Sequence, residues 1–160
     1  MKLIITLIVC LVAGCSSNSG QQSSTPTPKE ITAAELKNLR WIEGSWKGTG
    51  DIDKPFYERY KFENDTTLLI ESADDESFSK ITDATRYELK DGAFGKFGEG
   101  SQWVVTAFDQ NSITFAPVAK ARNGFIWQRE SADVWKATLS WPAHADKPAG
   151  KRVYRMDRIK

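Results

Sequence analysis

Sulfur and imidazole are nearly missing from this chain of 160 residues, which has 2 cysteines, 2 methionines and 1 histidine. Both cysteines, Cys10 and Cys15, fall at the N-terminal end. Once they are set aside, the rest of the chain has no thiol for a disulfide, a thiolate metal site or a cysteine nucleophile. The single histidine, His144, cannot build a polyhistidine metal centre, and no Gly-x-Ser-x-Gly elbow is present to position a serine nucleophile. Charge of one sign is lacking too: 22 Lys and Arg stand against 21 Asp and Glu. A balanced surface has no electrostatic footprint for nucleic acid. No apolar run is long enough to cross a bilayer as a helix, since Leu3 to Val12 falls well short of the ~20 residues required.

That short run does have a meaning of its own. Lys2 gives it a positive start, and Ala13-Gly14 supply small residues before Cys15, so Leu11-Val12-Ala13-Gly14-Cys15 resembles a bacterial lipoprotein signal. The resemblance implies cleavage after Gly14 and a diacylglyceryl thioether on Cys15. The mature protein would then be a monomer anchored to a membrane of the cell envelope by its N-terminal acyl chains. Ser16 after the lipidated cysteine favours the outer membrane, with the domain facing the periplasm, in a Gram-negative cell. Ser16 to Pro28 holds Ser, Gln, Thr and Pro and no residue able to join a core, which reads as a solvated tether. The division expected is therefore 1–14 signal, 15–30 lipidated cysteine and tether, and 31–160 folded domain.

Thr32-Ala33-Ala34-Glu35 is a capping box opening a short helix to about Leu39, with Leu36 and Leu39 on one face. Beyond Trp46 the period becomes two. Glu58, Tyr60 and Phe62 alternate with Arg59, Lys61 and Glu63, and Asn64-Asp65 marks the turn into a strand at Thr67 to Ile70. Asp83, Thr85, Tyr87 and Leu89 share a face, and Asp91-Gly92 marks a tight turn. Further alternating runs at Gln102 to Phe108, Ser112 to Ala116, Gly124 to Arg129, Val134 to Trp141 and Lys151 to Ile159 complete about eight or nine antiparallel strands. Hairpin connections throughout predict an all-β, up-and-down barrel, with an open sheet or sandwich as the alternative.

The strand opening this domain reads Gly44-Ser45-Trp46-Lys47-Gly48-Thr49-Gly50. Gly44, Trp46, Gly48 and Gly50 fall on one face, leaving one indole between neighbours without side chains and letting other backbone approach. This run resembles the Gly-x-Trp signature of the calycin superfamily, the lipocalins and fatty-acid-binding proteins, and the Gly-x-Trp-x-Gly-x-Gly opening of nitrobindin-type barrels. The resemblance implies a closed barrel with Trp46 as a structural plug. It also implies an arginine of the last strand stacked on that indole: Arg155 is the residue expected, with Arg152 and Arg158 also open.

A barrel of this size either fills with side chains or holds one small ligand. Tyr60, Phe62, Trp103, Phe115, Trp127 and Trp135 alternate with polar neighbours and are the residues expected inside, as packed core or as pocket lining. The nitrobindin resemblance implies a histidine ligand to haem iron near the C-terminus. The final strand has none, and His144 stands in the polar loop Trp141 to Asp146. No cofactor and no metal are therefore expected, and without a catalytic constellation the chain is read as a non-enzyme. The function expected first is a lipid-anchored carrier of a small hydrophobic ligand; the alternative is a filled barrel whose loops bind another envelope protein, and a haem protein comes last.

Overall fold

The computed structural model describes residues 25–51 and 54–160. The signal segment, Cys15 and the tether up to residue 24 lie outside the described residues. A four-residue helix α1 (Ala33–Leu36) runs directly into a 3-10 turn (Lys37–Ile42). Thr32 caps it as the sequence predicts: its hydroxyl accepts from Glu35 N–H at 3.2 Å while the Glu35 carboxylate accepts from Thr32 N–H at 2.9 Å.

Ten antiparallel strands follow: β1 (Gly44–Thr49), β2 (Phe56–Asn64), β3 (Thr67–Ala73), β4 (Ile81–Lys90), β5 (Ala93–Lys96), β6 (Gln102–Phe108), β7 (Ser112–Ala119), β8 (Gly124–Arg129), β9 (Val134–Trp141) and β10 (Gly150–Arg158). Each pairs with its sequence neighbours, and β1 pairs with β10, with Trp46 opposite Arg158 and Gly48 opposite Met156, so the sheet closes. The up-and-down barrel is therefore present, but with ten strands rather than eight or nine. The uncounted strand is β5, whose four residues Ala-Phe-Gly-Lys are too few to show an alternation. The turn before it is legible: Asp91 and Gly92 both have positive φ, at 50° and 78°, the pair a type I′ hairpin needs.

Alternation sets what goes inside. Tyr60 and Phe62 are buried while Lys61 and Glu63 are exposed, and Trp135 and Ala137 on β9 and Met156 on β10 repeat the pattern. The helix end of the barrel is plugged by Leu36, Leu39 and Ile42, all fully buried, packed with Leu68, Phe94 and Ile113 in one core. The chain is tied to the sheet from Lys29 onward: Lys29 N–H donates to Val105 O and Ile31 N–H to Gly92 O, each at 2.8 Å.

The Trp46 motif works as a clasp between β1, the 3-10 turn and β10. The last carbonyls of a helix lack intrahelical donors, and here they are met from the strands. Trp46 Nε1–H donates to Ile42 O at 2.7 Å, and Arg158 donates to Glu43 O at 2.8 Å and Trp41 O at 3.2 Å. The Arg158 guanidinium lies 4.0 Å from the centroid of the Trp46 ring. The stacking arginine is thus Arg158, not Arg155. Arg155 has the opposite parity, points outward and is bonded to Asp157 at 2.9 Å. What approaches the glycines is side chain rather than backbone. A Cβ at Gly44, where φ is +126°, would overlap the Arg158 guanidinium, and one at Gly48 would overlap the Phe56 ring.

Candidate functional site

Opposite the helix plug the barrel is hollow. The cavity holds about 690 Å³ and is lined by the start of β2, β4, β6 and β8, the end of β3 and β5, most of β9, and Tyr154 and Met156 of β10. Its volume falls within the ~300–1,000 Å³ that sites for small organic molecules occupy. The closing residues cluster at one end and leave the other to ring faces and a rim.

Four of the six aromatics singled out from the sequence line this cavity: Tyr60, Trp103, Trp127 and Trp135. Trp127 is the hub, with ring centroids 5.7 Å from Tyr60, 5.7 Å from Tyr87 and 5.9 Å from Trp135. Such offset and edge-on contacts each contribute about 0.5–1.5 kcal/mol beyond burial, so the walls are rigid. Phe62 and Phe115 do not line the cavity. Phe62 faces the helix end, where Arg40 lies 4.7 Å from its ring centroid, and Phe115 is stacked behind Phe125 at 4.5 Å. Trp103 stands towards the rim, its Nε1–H donating to Asn123 O at 2.7 Å. The Trp135 indole N–H is buried with no acceptor among the described residues, so ring packing rather than hydrogen bonding holds the floor.

Reasoning from aromatics alone missed the polar residues of the site. Glu58 points inward on the same face as Tyr60, in a row across β1, β2, β3 and β4 made by the pairs Trp46 with Glu58, Glu58 with Ser72 and Ser72 with Asp83. The Tyr60 hydroxyl donates to Glu58 Oε2 at 2.5 Å. No Lys or Arg among the described residues is ion-paired with Glu58. Loss of hydration inside the barrel pushes the Glu58 carboxyl above its ordinary value, and the Tyr60 hydrogen bond offsets part of that rise. Burial first, and the Glu58 charge second, push both the Tyr60 and Tyr87 phenols up, so both are neutral donors at physiological pH. The one ammonium on the lining, Lys96, is held at the rim, donating to Ser101 O at 2.8 Å.

The raised Glu58 carboxyl has a consequence for stability. The folded protein holds that proton more tightly than the unfolded chain does. The stabilisation is complete below the unfolded value of 4.5 and is lost as pH rises through the folded value. Glu58→Gln, which keeps an oxygen for the Tyr60 hydroxyl, is therefore expected to be about 1 kcal/mol more stable than the natural chain at neutral pH. Near pH 4 the two should melt together. Thermal melts followed across that range check it, and a variant less stable at neutral pH would show that Glu58 has a compensating partner.

His144 stands on the exposed loop between β9 and β10, where it and Lys147 exchange backbone hydrogen bonds at 2.9 Å, and it does not line the cavity. No cluster of three or more His, Cys, Asp or Glu able to hold a metal occurs among the described residues. No protein-family model matches the chain, and no curated protein sequence does. Among solved structures it is similar to that of EF1p2_mFAP2b bound to DFHBI, at 10% identity over 78% of this chain and 99% of the other, with a TM-score of 0.41. At that level of likeness nothing about a ligand or a site in this chain follows from it.

Proposed function

We propose that this protein binds a small, largely apolar organic molecule inside its barrel and has no chemistry of its own. We further propose that it does so as a lipoprotein of the cell envelope, anchored through Cys15. The observation that supports binding is the hollow end: about 690 Å³ walled by Tyr and Trp rings in edge-on and tilted contact, with a polar pair at its side. A chain selected only for a stable barrel would fill that volume, since unfilled apolar space costs stability. The lipoprotein reading rests on Leu11 to Cys15 and on the Ser- and Pro-rich run that would let the barrel stand off a membrane.

Native mass spectrometry of the full chain, released from a bacterial envelope in mild detergent, tests both parts. The expected result is a protein beginning at Cys15 with the mass of its acyl chains, carrying a further non-covalent small molecule. A chain that arrives bare, and then fails to enhance the fluorescence of the neutral apolar probe N-phenyl-1-naphthylamine, would refute binding. An unmodified Cys15 would refute the anchor and leave the binding result standing.

A further inference from the structure

Resting on that reading of the cavity, we infer that the ligand is an organic cation: a protonated amine carried on an aromatic or apolar body, with the charge seated at Glu58. An apolar ligand needs no carboxylate in the wall. An anionic ligand would be repelled by one. Glu58 nevertheless stands inside the barrel, one residue pair from the aromatic hub. Its one hydrogen-bond partner among the described residues is Tyr60, on Oε2, which leaves Oε1 without a donor.

Glu58 is half-buried on this wall and has no cation to pair with among the described residues, and a ligand that brings the cation gains an ion pair in a place where hydration is already reduced. The surrounding rings are suited to the same charge. Tyr60, Tyr87 and Trp127 lie within 5.7 Å of one another along the chain Tyr60 to Trp127 to Tyr87, and ring faces attract an ammonium group most strongly where water is excluded. Each charged group on the lining has a place in this arrangement. Asp83 lies two strands from Glu58 in the same row, with Ser72 between them, so the wall carries two carboxylates. Lys96, the opposing charge, is bonded at the rim to Ser101 and lies 5.9 Å from the Trp103 ring. Arg152 stands beside the rim and donates to the Tyr154 hydroxyl at 3.3 Å. The lining proper carries two carboxylates against one ammonium, Arg152 standing outside it, and Glu58 is the charge beside the aromatic hub.

Three indoles of similar size separate the possibilities: tryptamine, a cation; 3-propylindole, neutral; and indole-3-propionate, an anion. Each is used to displace N-phenyl-1-naphthylamine from the full chain in zwitterionic lipid nanodiscs, with empty discs as the blank. Tryptamine is expected to compete at least about tenfold more tightly than 3-propylindole, with indole-3-propionate the weakest. In Glu58→Gln the ratio of tryptamine to 3-propylindole should fall to about one, a comparison internal to each protein and so independent of any change in stability. If the probe binds and the natural chain ranks the neutral or anionic indole equal to or above tryptamine, the cation assignment is overturned and the cavity reading stands. If neither the probe nor any indole binds, both fall.

Discussion

Trp46→Ala is expected to cost about 3–5 kcal/mol of unfolding free energy, the upper range for truncating a buried aromatic, and to lower the melting temperature by ~10–20 °C. Against the 5–15 kcal/mol that holds a domain of this size together, that is a large share. The physical case is that three separate contacts end on one ring. The indole is 1% exposed, its edge-on contact with Trp135 spans 6.0 Å, its N–H satisfies Ile42 O, and its face carries Arg158. Truncation opens a void, leaves a helix-end carbonyl without its donor and strips the guanidinium of its ring. Trp46→Phe separates these terms: it keeps most of the volume and loses the N–H, so it should cost about 1–3 kcal/mol. Urea or thermal unfolding followed by far-UV circular dichroism measures both. Trp46→Ala melting within a few degrees of the natural chain would mean that the 3-10 turn is held by its own apolar face and not by the clasp.

How much of this was legible in the sequence depends on whether a feature is local. Alternation is local, so nine of the ten strands and the inward face of Tyr60, Trp127 and Trp135 follow from period two. The Thr32 capping box and the Asp91-Gly92 turn are local as well. The depth of a residue along the barrel axis is not. Phe62 and Phe115 share the alternation of the cavity residues, but which end the helix plugs is decided by register and closure, and those place Phe62 under Arg40 and Phe115 behind Phe125. Glu58 carried a signal that aromatic counting passed over, since a charge in phase with Tyr60 and Phe62 must point inward. The choice between Arg155 and Arg158 was likewise decidable in part. Tyr154 and Met156 share the face of Arg158 while Val153 shares that of Arg155, so parity favours Arg158 without deciding it. What no parity argument supplies is the pairing of Trp46 with Arg158 across the seam that closes the barrel.

Gly95→Ala is expected to be nearly as damaging as Trp46→Ala, at about 3 kcal/mol, although it adds only one methyl group. β5 is four residues long and pairs with β6 through Gly95 opposite Val104 and Lys96 opposite Trp103 alone. A Cβ on Gly95 would overlap the Trp103 carbonyl oxygen, with the Val104 Cα 3.1 Å away. Both obstacles are backbone, so no rotamer change relieves them, and the strands must part. The parting would fall at the cavity, because Lys96 and Trp103 both line it. A stability effect and a binding effect should therefore appear together: a lowered melting temperature, faster amide exchange confined to β5 and β6, and weakened retention of N-phenyl-1-naphthylamine at temperatures where the rest of the barrel is intact. Loss of stability with unchanged exchange at this seam would show instead that the strain spreads through the whole sheet. Wild-type melting would show that β5 can shift past β6, and that the narrowest link in the ladder is not what fixes the cavity wall.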